Sequence, residues 1–231
     1  MKKYKQIFWD LDRTIWDFEK NSLETFKEIY KKHNLEEKGV DSFDSFMKTY
    51  KEHNAMLWGL YRNGMIEKEK LSVERFRITL NDFGINNNSL AIDISADYLR
   101  ISPEKTNLFP YAQDILTYLS ANYQMHIITN GFKEVQYKKI RNSNLDKYFN
   151  KIIISEEIGY KKPDKNFFKY SLEKANAKAD ESIVIGDDLK VDIIGAKNAG
   201  IDQIFFNNNK IEHNEEITYE INSLLEIKKI L

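Results

Sequence analysis

A chain of 231 residues, 42% of them hydrophobic, is long enough for one substantial core or for a core domain with a modest insertion. Its 35 Lys and Arg residues nearly balance 36 Asp and Glu residues, which argues against a broad positive surface for a nucleic acid polymer. The absence of cysteine excludes disulfides, thiolate zinc sites and thiol nucleophiles.

The N-terminal segment predicts no export or membrane insertion. Its short apolar stretch, Ile7 to Trp9, is interrupted by Asp10 and Asp12 too early for a signal peptide. Elsewhere no segment approaches the roughly 20 apolar residues of a membrane span. We therefore expect a soluble, cytoplasmic protein without a membrane partner.

The periodicity of apolar residues changes twice along the chain. The run from Tyr4 to Leu11 is short, aromatic and followed by polar residues, as is typical of a buried strand ending in a charged loop. From about 18 to 99 the spacing is helical, as in Leu23 and Phe26. After Pro110 helices and strands alternate: helix 111–121, strand 124–129, helix 133–141, strand 151–155, helix 164–175, strand 182–186, helix 190–199, strand 201–206, and a short strand and a final helix, capped by Ser223, within 217–231.

This order predicts an α/β fold. Repeated alternation is typical of a Rossmann-like parallel sheet with helices on both faces, here built from residues 1–16 and 104–231. Residues 17–103 are expected to form an inserted all-helical cap domain of the four-helix-bundle type. Such an insertion lies over the carboxyl ends of the strands, where open α/β sheets bind ligands.

The first candidate segment, Asp10 to Thr14, follows the first strand. A carboxylate can attack phosphorus to form an aspartyl phosphate, and a neighbouring acid can protonate the leaving oxygen and then deprotonate water. Taken alone, an Asp-x-Asp sequence is more typical of a solvated turn. Asp10 and Asp12 gain meaning only together with the other segments.

Two further segments follow predicted strands. Thr129, Asn130 and Gly131 offer a hydroxyl and backbone N–H groups to phosphate oxygens, although a capped strand-to-helix turn has the same composition. Lys162, whose following backbone is fixed by Pro163, supplies an ammonium that neutralises a nucleophile or a phosphoryl group. A lysine pair in a loop is otherwise simply solvated.

The fourth segment is acidic. Asp187 and Asp188 follow the apolar run ending at Ile185, and Asp192 lies one helical turn further on. Because Mg²⁺ prefers oxygen ligands and keeps several waters, Asp10, the Asp12 carbonyl and Asp187 suffice to hold it. Asp192 is either a supporting ligand or a residue that pairs with a helix dipole. All four segments follow strands and are expected to meet at one edge of the sheet.

The order of an Asp nucleophile, a hydroxyl residue, a Lys and an acidic pair resembles that of the haloacid dehalogenase superfamily. The likeness covers essentially the full chain, including a helical cap after the first motif. It implies the following roles: Asp10 as nucleophile, Asp12 as acid and base, Thr129 as phosphate-binding hydroxyl, Lys162 as charge clamp, Asp187 as metal ligand, and Asp192 in support with Asp188 as the competing assignment. An acid at Asp12 favours phosphoryl chemistry over halide displacement.

Within that superfamily the segments 128–132 and 154–163 are similar to pyrimidine 5′-nucleotidases that act against non-canonical nucleotides. The cap sequences Leu57-Trp58, Tyr61, Asn63-Gly64 and Arg75-Phe76 are similar as well. The likeness implies hydrolysis of dUMP, UMP or dTMP, with Trp58 or Tyr61 stacking on the base and Asn54 or Arg75 bonding its edge. Core packing is the alternative role for both aromatic residues. Arg13 departs from the Gly, Asn or Glu of many relatives.

Other functions remain open. A phosphatase of a sugar phosphate or phosphoglycolate, or a phosphosugar mutase, shares the same chemistry up to the aspartyl phosphate. A phosphoacceptor receiver domain also combines acids, a hydroxyl and a lysine, but it lacks the large insertion and the acid at Asp12. In each case we expect a small phosphorylated partner and a monomer or small homo-oligomer.

Overall fold

The computed structural model describes residues 3–231, so Met1 and Lys2 of the N-terminal segment lie outside the described residues. The chain divides into two compact units. One, the core domain, combines the N-terminal residues up to Phe18 with Thr106–Leu231, and the other, the helical domain, is Glu19–Lys105. Both limits of the helical domain lie two residues later in the chain than the predicted limits 17 and 103.

The helical domain is built around an aromatic cluster. Its helices are α1 (Phe18–Lys32, which starts at the last residue of the core domain), α2 (Phe43–Arg62), α3 (Lys68–Asp82) and α4 (Asn88–Ile101). The side chains of Ser42 and Asn87 cap α2 and α4 by accepting hydrogen bonds from backbone N–H groups. Phe26, Tyr50 and Phe76 pack at ring distances of 4.4 to 6.2 Å, which gives this domain its own core.

The core domain contains a sheet of six parallel strands in the order β3-β2-β1-β4-β5-β6. The predicted α/β class is confirmed. The strands are β1 (Gln6–Trp9), β2 (Gln124–Thr129), β3 (Lys151–Ile154), β4 (Ser182–Gly186), β5 (Asp202–Phe206) and β6 (Tyr219–Ile221).

Helices connect the strands. They are α5 (Ala112–Ser120), α6 (Lys133–Asn142), α7 (Ser155–Ile158), α8 (Lys165–Ala175) and α9 (Gly195–Asn198). The predicted helix 190–199 is in fact a π-helical turn, Leu189–Ile194, that continues into α9, and the predicted final helix is a 3₁₀ helix, Leu224–Lys229. Ser223 caps that helix through a capping box with Glu226, as the sequence predicted.

Side chains alternate along each strand and therefore point to both faces of the sheet. Helices cover both faces, so both are buried. Ile7 and Trp9 belong to one apolar cluster, which includes Ile115 of α5, whereas Phe8 packs in a second cluster with Phe168 of α8. Covered faces explain why the strands read as continuous apolar runs. No helix within residues 3–231 has both the length and the apolar character needed to cross a membrane.

Candidate active site

The loops that carry the predicted chemistry leave neighbouring strands at one edge of the sheet. Trp9, the last residue of β1, lies opposite Ile127 of β2 and Ile185 of β4. The N–H of Asp10 donates to the Ile185 carbonyl at 2.8 Å, so the first loop starts while still bonded to the sheet. The parallel register therefore brings the ends of β1, β2 and β4 to one place.

Lys162 joins two of these loops. Its ammonium lies 2.6 Å from Asp10 Oδ1 and 2.7 Å from Asp192 Oδ1, and it also donates to the Ile128 carbonyl at 3.0 Å. The residue is only 1% exposed. Burial alone would lower the pKa of Lys162, but the two carboxylates raise it above its ordinary value, so the side chain stays an ammonium.

Asp10, Asp187 and Asp192 form a compact carboxylate cluster. Each offers an oxygen, and the three oxygens lie within 4.8 Å of one another. Burial raises the pKa of Asp10 to about 7; Lys162 opposes this rise and the charge of Asp192 adds to it. Burial and the Asp10 charge raise the pKa of Asp187 well above its ordinary value. Burial likewise raises the pKa of Asp192, although Lys162 opposes the rise.

This cluster fits a divalent cation. Asp10 and Asp192 contact the ammonium of Lys162, and the charge of Arg13 acts on Asp187, so full ionisation of the three carboxylates leaves an excess of negative charge in a largely buried place. Hard oxygen ligands of this kind suit Mg²⁺. Thr14 is fully buried, and its hydroxyl lies 3.1 Å from Asp10 Oδ2 and 3.3 Å from Asp187 Oδ1, so it bonds to both carboxylates of the cluster.

The two candidates for the supporting acid differ in their partners. Asp188 Oδ1 accepts from the N–H groups of Lys190 and Val191 and so caps the π-helical turn. Asp192 faces the other carboxylates, with Oδ2 accepting from the Asp188 N–H at 3.2 Å. Gly186 makes room for it, since a Cβ at that position would lie 2.6 Å from the Asp192 Cβ. Geometry thus favours Asp192 over Asp188, and its role stays a prediction.

The segment after β2 shows how a phosphate could be bound. Thr129 Oγ1 accepts from the Gly131 N–H at 3.1 Å and from the Gln136 amide at 2.6 Å. Because both lone pairs are taken, the hydroxyl proton is left to donate. The Asn130 side chain is used differently: its amide bonds the backbone C=O and N–H of Lys162, both at 2.9 Å, and ties the two loops together. Only its backbone N–H remains a predicted phosphate contact.

Two residues that the sequence prediction missed hold Asp12. Gln136 donates to Asp12 Oδ2 at 2.8 Å, and Lys139 donates to Asp12 Oδ1 at 2.6 Å. They lie three positions apart on α6, so they share one helix face. Polar residues at this spacing beside the buried Val135 and Ile140 were the available signal. This signal is weak because a lysine in a helix is ordinarily exposed.

The candidate base-binding residues belong to the helical domain. Tyr61 is buried and Trp58 half-buried, with ring centroids 5.6 Å apart, so core packing accounts for much of Tyr61. Asn54 Oδ1 accepts from the Tyr50 hydroxyl and from Arg75 Nη1, each at 3.2 Å.

Arg75 itself is 3% exposed. Its guanidinium lies 4.7 Å from the Tyr98 ring centroid and 4.9 Å from that of Phe76. Within residues 3–231 its hydrogen bonds go to the Ser72 carbonyl and Asn54 rather than to a carboxylate, and its Nη2 makes no hydrogen bond. A buried cation of this kind is costly, which makes Arg75 a better candidate for ligand binding than Tyr61.

Arg13 adopts a left-handed backbone, with φ 71°. This conformation favours glycine, one of the three residues, Gly, Asn or Glu, that the resemblance implies at this position. The Arg13 guanidinium lies 4.1 Å from the Phe18 ring centroid, so the side chain packs against the aromatic ring. Neither feature replaces one of the predicted catalytic groups.

Comparison with known proteins decides the family. The model of the haloacid dehalogenase-like hydrolases matches residues 7–206. This chain belongs to that family. The predicted superfamily and the hydrolase class are confirmed, and the receiver-domain alternative is not supported.

Individual relatives match this chain over nearly the full length of both proteins. The HAD-hydrolase YfnB of Bacillus subtilis is 30% identical over 100% of this chain and 97% of its own. Pyrimidine 5′-nucleotidase YjjG of Escherichia coli is 29% identical over 99% and 98%. Pyrimidine 5′-nucleotidase PynA of Streptococcus pneumoniae is 29% identical over 95% and 92%. A crystal structure of YfnB bound to magnesium superposes with a TM-score of 0.89 and covers 99% of both chains.

Proposed function

We propose that this protein is a Mg²⁺-dependent phosphatase that hydrolyses pyrimidine nucleoside 5′-monophosphates such as dUMP, UMP or dTMP through an aspartyl phosphate at Asp10. The observation that carries the proposal is the pairing of Asp10 with the buried ammonium of Lys162 inside the carboxylate cluster. An ionised carboxylate repels an approaching phosphate dianion, so a nucleophilic aspartate needs a positive group such as Lys162 beside it.

The reaction proceeds in two steps. First, an Asp10 carboxylate oxygen bonds to phosphorus while the bond from phosphorus to the ester oxygen breaks, and Asp12 gives its proton to the departing oxygen. Second, water bonds to the same phosphorus, gives a proton to Asp12 and releases Asp10 and inorganic phosphate. Lys162 stays beside Asp10 throughout, and Thr129 donates its hydroxyl proton to a phosphoryl oxygen.

Asp10, the Asp12 carbonyl, Asp187 and Asp192 would hold the Mg²⁺. When bound, the ion would neutralise the carboxylates and polarise a phosphoryl oxygen. The excess negative charge of the cluster is the property of this structure that favours the ion.

The nucleotide specificity rests on two supports. Both named pyrimidine 5′-nucleotidases match this chain along nearly its whole length. In addition, Arg75 and Asn54 present donors of the kind that pair with a pyrimidine carbonyl, with Trp58 and Tyr61 as the proposed stacking surface. We propose that these four residues select the leaving group, since the core domain recognises only the phosphoryl group and the metal.

A sugar phosphate is the second candidate substrate. Glyceraldehyde 3-phosphate phosphatase of Pyrococcus furiosus is 37% identical over 114 residues, which is 47% of this chain. A match limited to half the chain supports shared phosphoryl chemistry better than a shared substrate. The cytoplasmic location, the small homo-oligomer and the exclusion of nucleic acid polymers stay predictions.

A phosphate-release screen over nucleoside monophosphates and sugar phosphates tests the proposal. With MgCl₂ present, we expect pyrimidine nucleoside monophosphates to rank first by kcat/KM. Asp10→Asn is the matched control because an amide is nearly isosteric with the carboxylate yet a poor nucleophile, and we expect it to fold and to release no phosphate. Sugar phosphates ranking first would select the second candidate. Full activity in Asp10→Asn would refute the assigned nucleophile.

A further inference from the structure

The carboxylate of Asp12 is held by two side chains of α6. Lys139 bonds one carboxylate oxygen at 2.6 Å and Gln136 bonds the other at 2.8 Å, so both oxygens have a donor from the same helix. Asp12 itself lies in the loop that follows β1, where it forms an isolated β-bridge with Trp16. Two donors spaced one helical turn apart fix both the position and the plane of a carboxylate.

Lys139 is committed to this contact. It is 3% exposed, and within residues 3–231 Asp12 is its only ion-pair partner. The ammonium also lies 4.0 Å from the centroid of the Trp16 ring, a residue of the same loop as Asp12. Burying a lysine is unfavourable unless its charge is paired, so the Lys139 ammonium depends on its contacts with Asp12 and Trp16.

Gln136 bonds the second oxygen of the Asp12 carboxylate and is held in place by its own packing. Its amide nitrogen reaches both Asp12 and the Thr129 hydroxyl, and the residue is fully buried. The space for it exists because residue 131 is glycine: a Cβ there would overlap the Gln136 amide and lie 2.8 Å from its Cγ. Gly131 therefore serves the Gln136 side chain, in addition to the close approach that the sequence predicted for it.

We propose that Lys139 and Gln136 are positioning residues that aim the Asp12 carboxyl group at the ester oxygen of the substrate. This inference rests on the proposed role of Asp12 as the acid and base of the reaction. It assigns a function to a face of α6 that none of the four sequence motifs includes. Neither residue touches the substrate in this scheme, because both act through Asp12 or Thr129.

Leaving groups of different basicity test the proposal. An alkyl ester such as dUMP or a sugar phosphate needs a proton on its departing oxygen, whereas the p-nitrophenolate of p-nitrophenyl phosphate leaves without one. We expect Lys139→Met to lower kcat/KM about 10- to 100-fold for the best alkyl phosphate and less than about threefold for p-nitrophenyl phosphate. Lys139→Arg, which keeps the charge, should recover part of the loss.

Lys138→Met is the matched control, because Lys138 is the neighbouring lysine on α6 and is exposed. It should leave both substrates unaffected. Gln136→Met provides a second variant if Lys139→Met does not fold; because Gln136 also bonds Thr129, it should lower kcat/KM for both substrates, and more for the alkyl substrate. An equal loss on both substrates, or no loss on either, would overturn the proposal.

A double-mutant cycle separates this inference from the proposed function. If Lys139 acts through Asp12, Lys139→Met should lower kcat/KM on the alkyl substrate by less than about threefold in an Asp12→Asn background. A full, multiplicative loss in that background would refute positioning. Any phosphomonoester that the wild-type enzyme hydrolyses serves as substrate, so failure of the nucleotide screen leaves this test intact.

Discussion

Replacing Asp10, the proposed nucleophile, is expected to stabilise the metal-free protein. Asp10 lies in a cluster of three carboxylates with one ammonium, in which Asp10 and Asp192 are buried and Asp187 is partly buried, and its pKa is raised from 3.8 to about 7, first by burial and then by the charge of Asp192 against the pull of Lys162. An ionised Asp10 is therefore unfavourable in the fold when no cation is bound. Asp10→Asn removes that charge, while Lys162 keeps its 2.7 Å contact with Asp192.

The sign and size of this stability difference follow from the linkage between proton binding and folding. Between pH 3.8 and about 7 the folded state binds a proton at Asp10 that the unfolded state has released, so wild-type stability falls as the pH rises through this window. The largest effect is about 4 kcal/mol, reached above pH 7. For a chain of this size that corresponds to roughly 8 to 16 °C in Tm.

Thermal unfolding in EDTA measures the effect. At pH 8 Asp10→Asn should melt above the wild type, and at pH 5 the free-energy difference should be smaller by roughly 2 to 3 kcal/mol. Asp180→Asn, a change at an exposed carboxylate of the core domain, should show no such trend. A variant that is less stable than the wild type at pH 8, or a difference that does not change with pH, would refute the charge balance described for this cluster.

Three further outcomes are expected. Added MgCl₂ should raise the Tm of the wild type at pH 8 and raise that of Asp187→Asn much less, because the variant lacks one of the three clustered carboxylates; equal shifts would argue against the site. Gly186→Ala should cost about 1 to 3 kcal/mol by differential scanning calorimetry and abolish phosphate release, since the new Cβ would lie 2.6 Å from the Asp192 Cβ, whereas Gly131→Ala should lower phosphate release by displacing the buried Gln136 side chain from Asp12 and Thr129. Burial lowers the pKa of His126 to about 4, so the contribution of this residue to stability decreases as the pH falls from 6.5 to 4, and in urea titrations the wild type should lose stability relative to His126→Phe over that range; a stability difference that does not change with pH would contradict the burial of a neutral imidazole.

The fold was predictable from periodicity alone. Strand 124–129 and strand 182–186 have the predicted bounds, because both are buried on two faces and read as apolar runs between polar loops. The helix predicted at 190–199 was less accurate. There the N–H of Ile193 bonds the carbonyl of Asp188, five residues back, which widens the turn, and the apolar pattern of Ile193 and Ile194 is the same in either form.

The site was predictable only in part. Strand ends identify Asp10, Thr129 and Asp187, because parallel strands bring their carboxyl ends together. Gln136 and Lys139 were missed because their roles depend on which face of α6 meets the first loop, and that is a matter of packing. The role of the Asn130 side chain was missed for a related reason. The local sequence does not distinguish an asparagine that bridges two loops from one that binds a ligand.

The side chains around the motifs fix the catalytic groups in relation to one another. Asn130 binds the backbone of Lys162, Lys162 binds Asp10, and Gln136 binds both Thr129 and Asp12. Each loop is thereby bonded to at least one other loop, so a shift in one group moves its partners. Phosphoryl transfer depends on the relative placement of nucleophile and acid as well as on their presence, because a misplacement of about 1 Å can cost about 100-fold in rate. Substitutions at the connecting residues should therefore lower activity in the manner of the catalytic residues they hold, while the carboxylates and the ammonium all remain present.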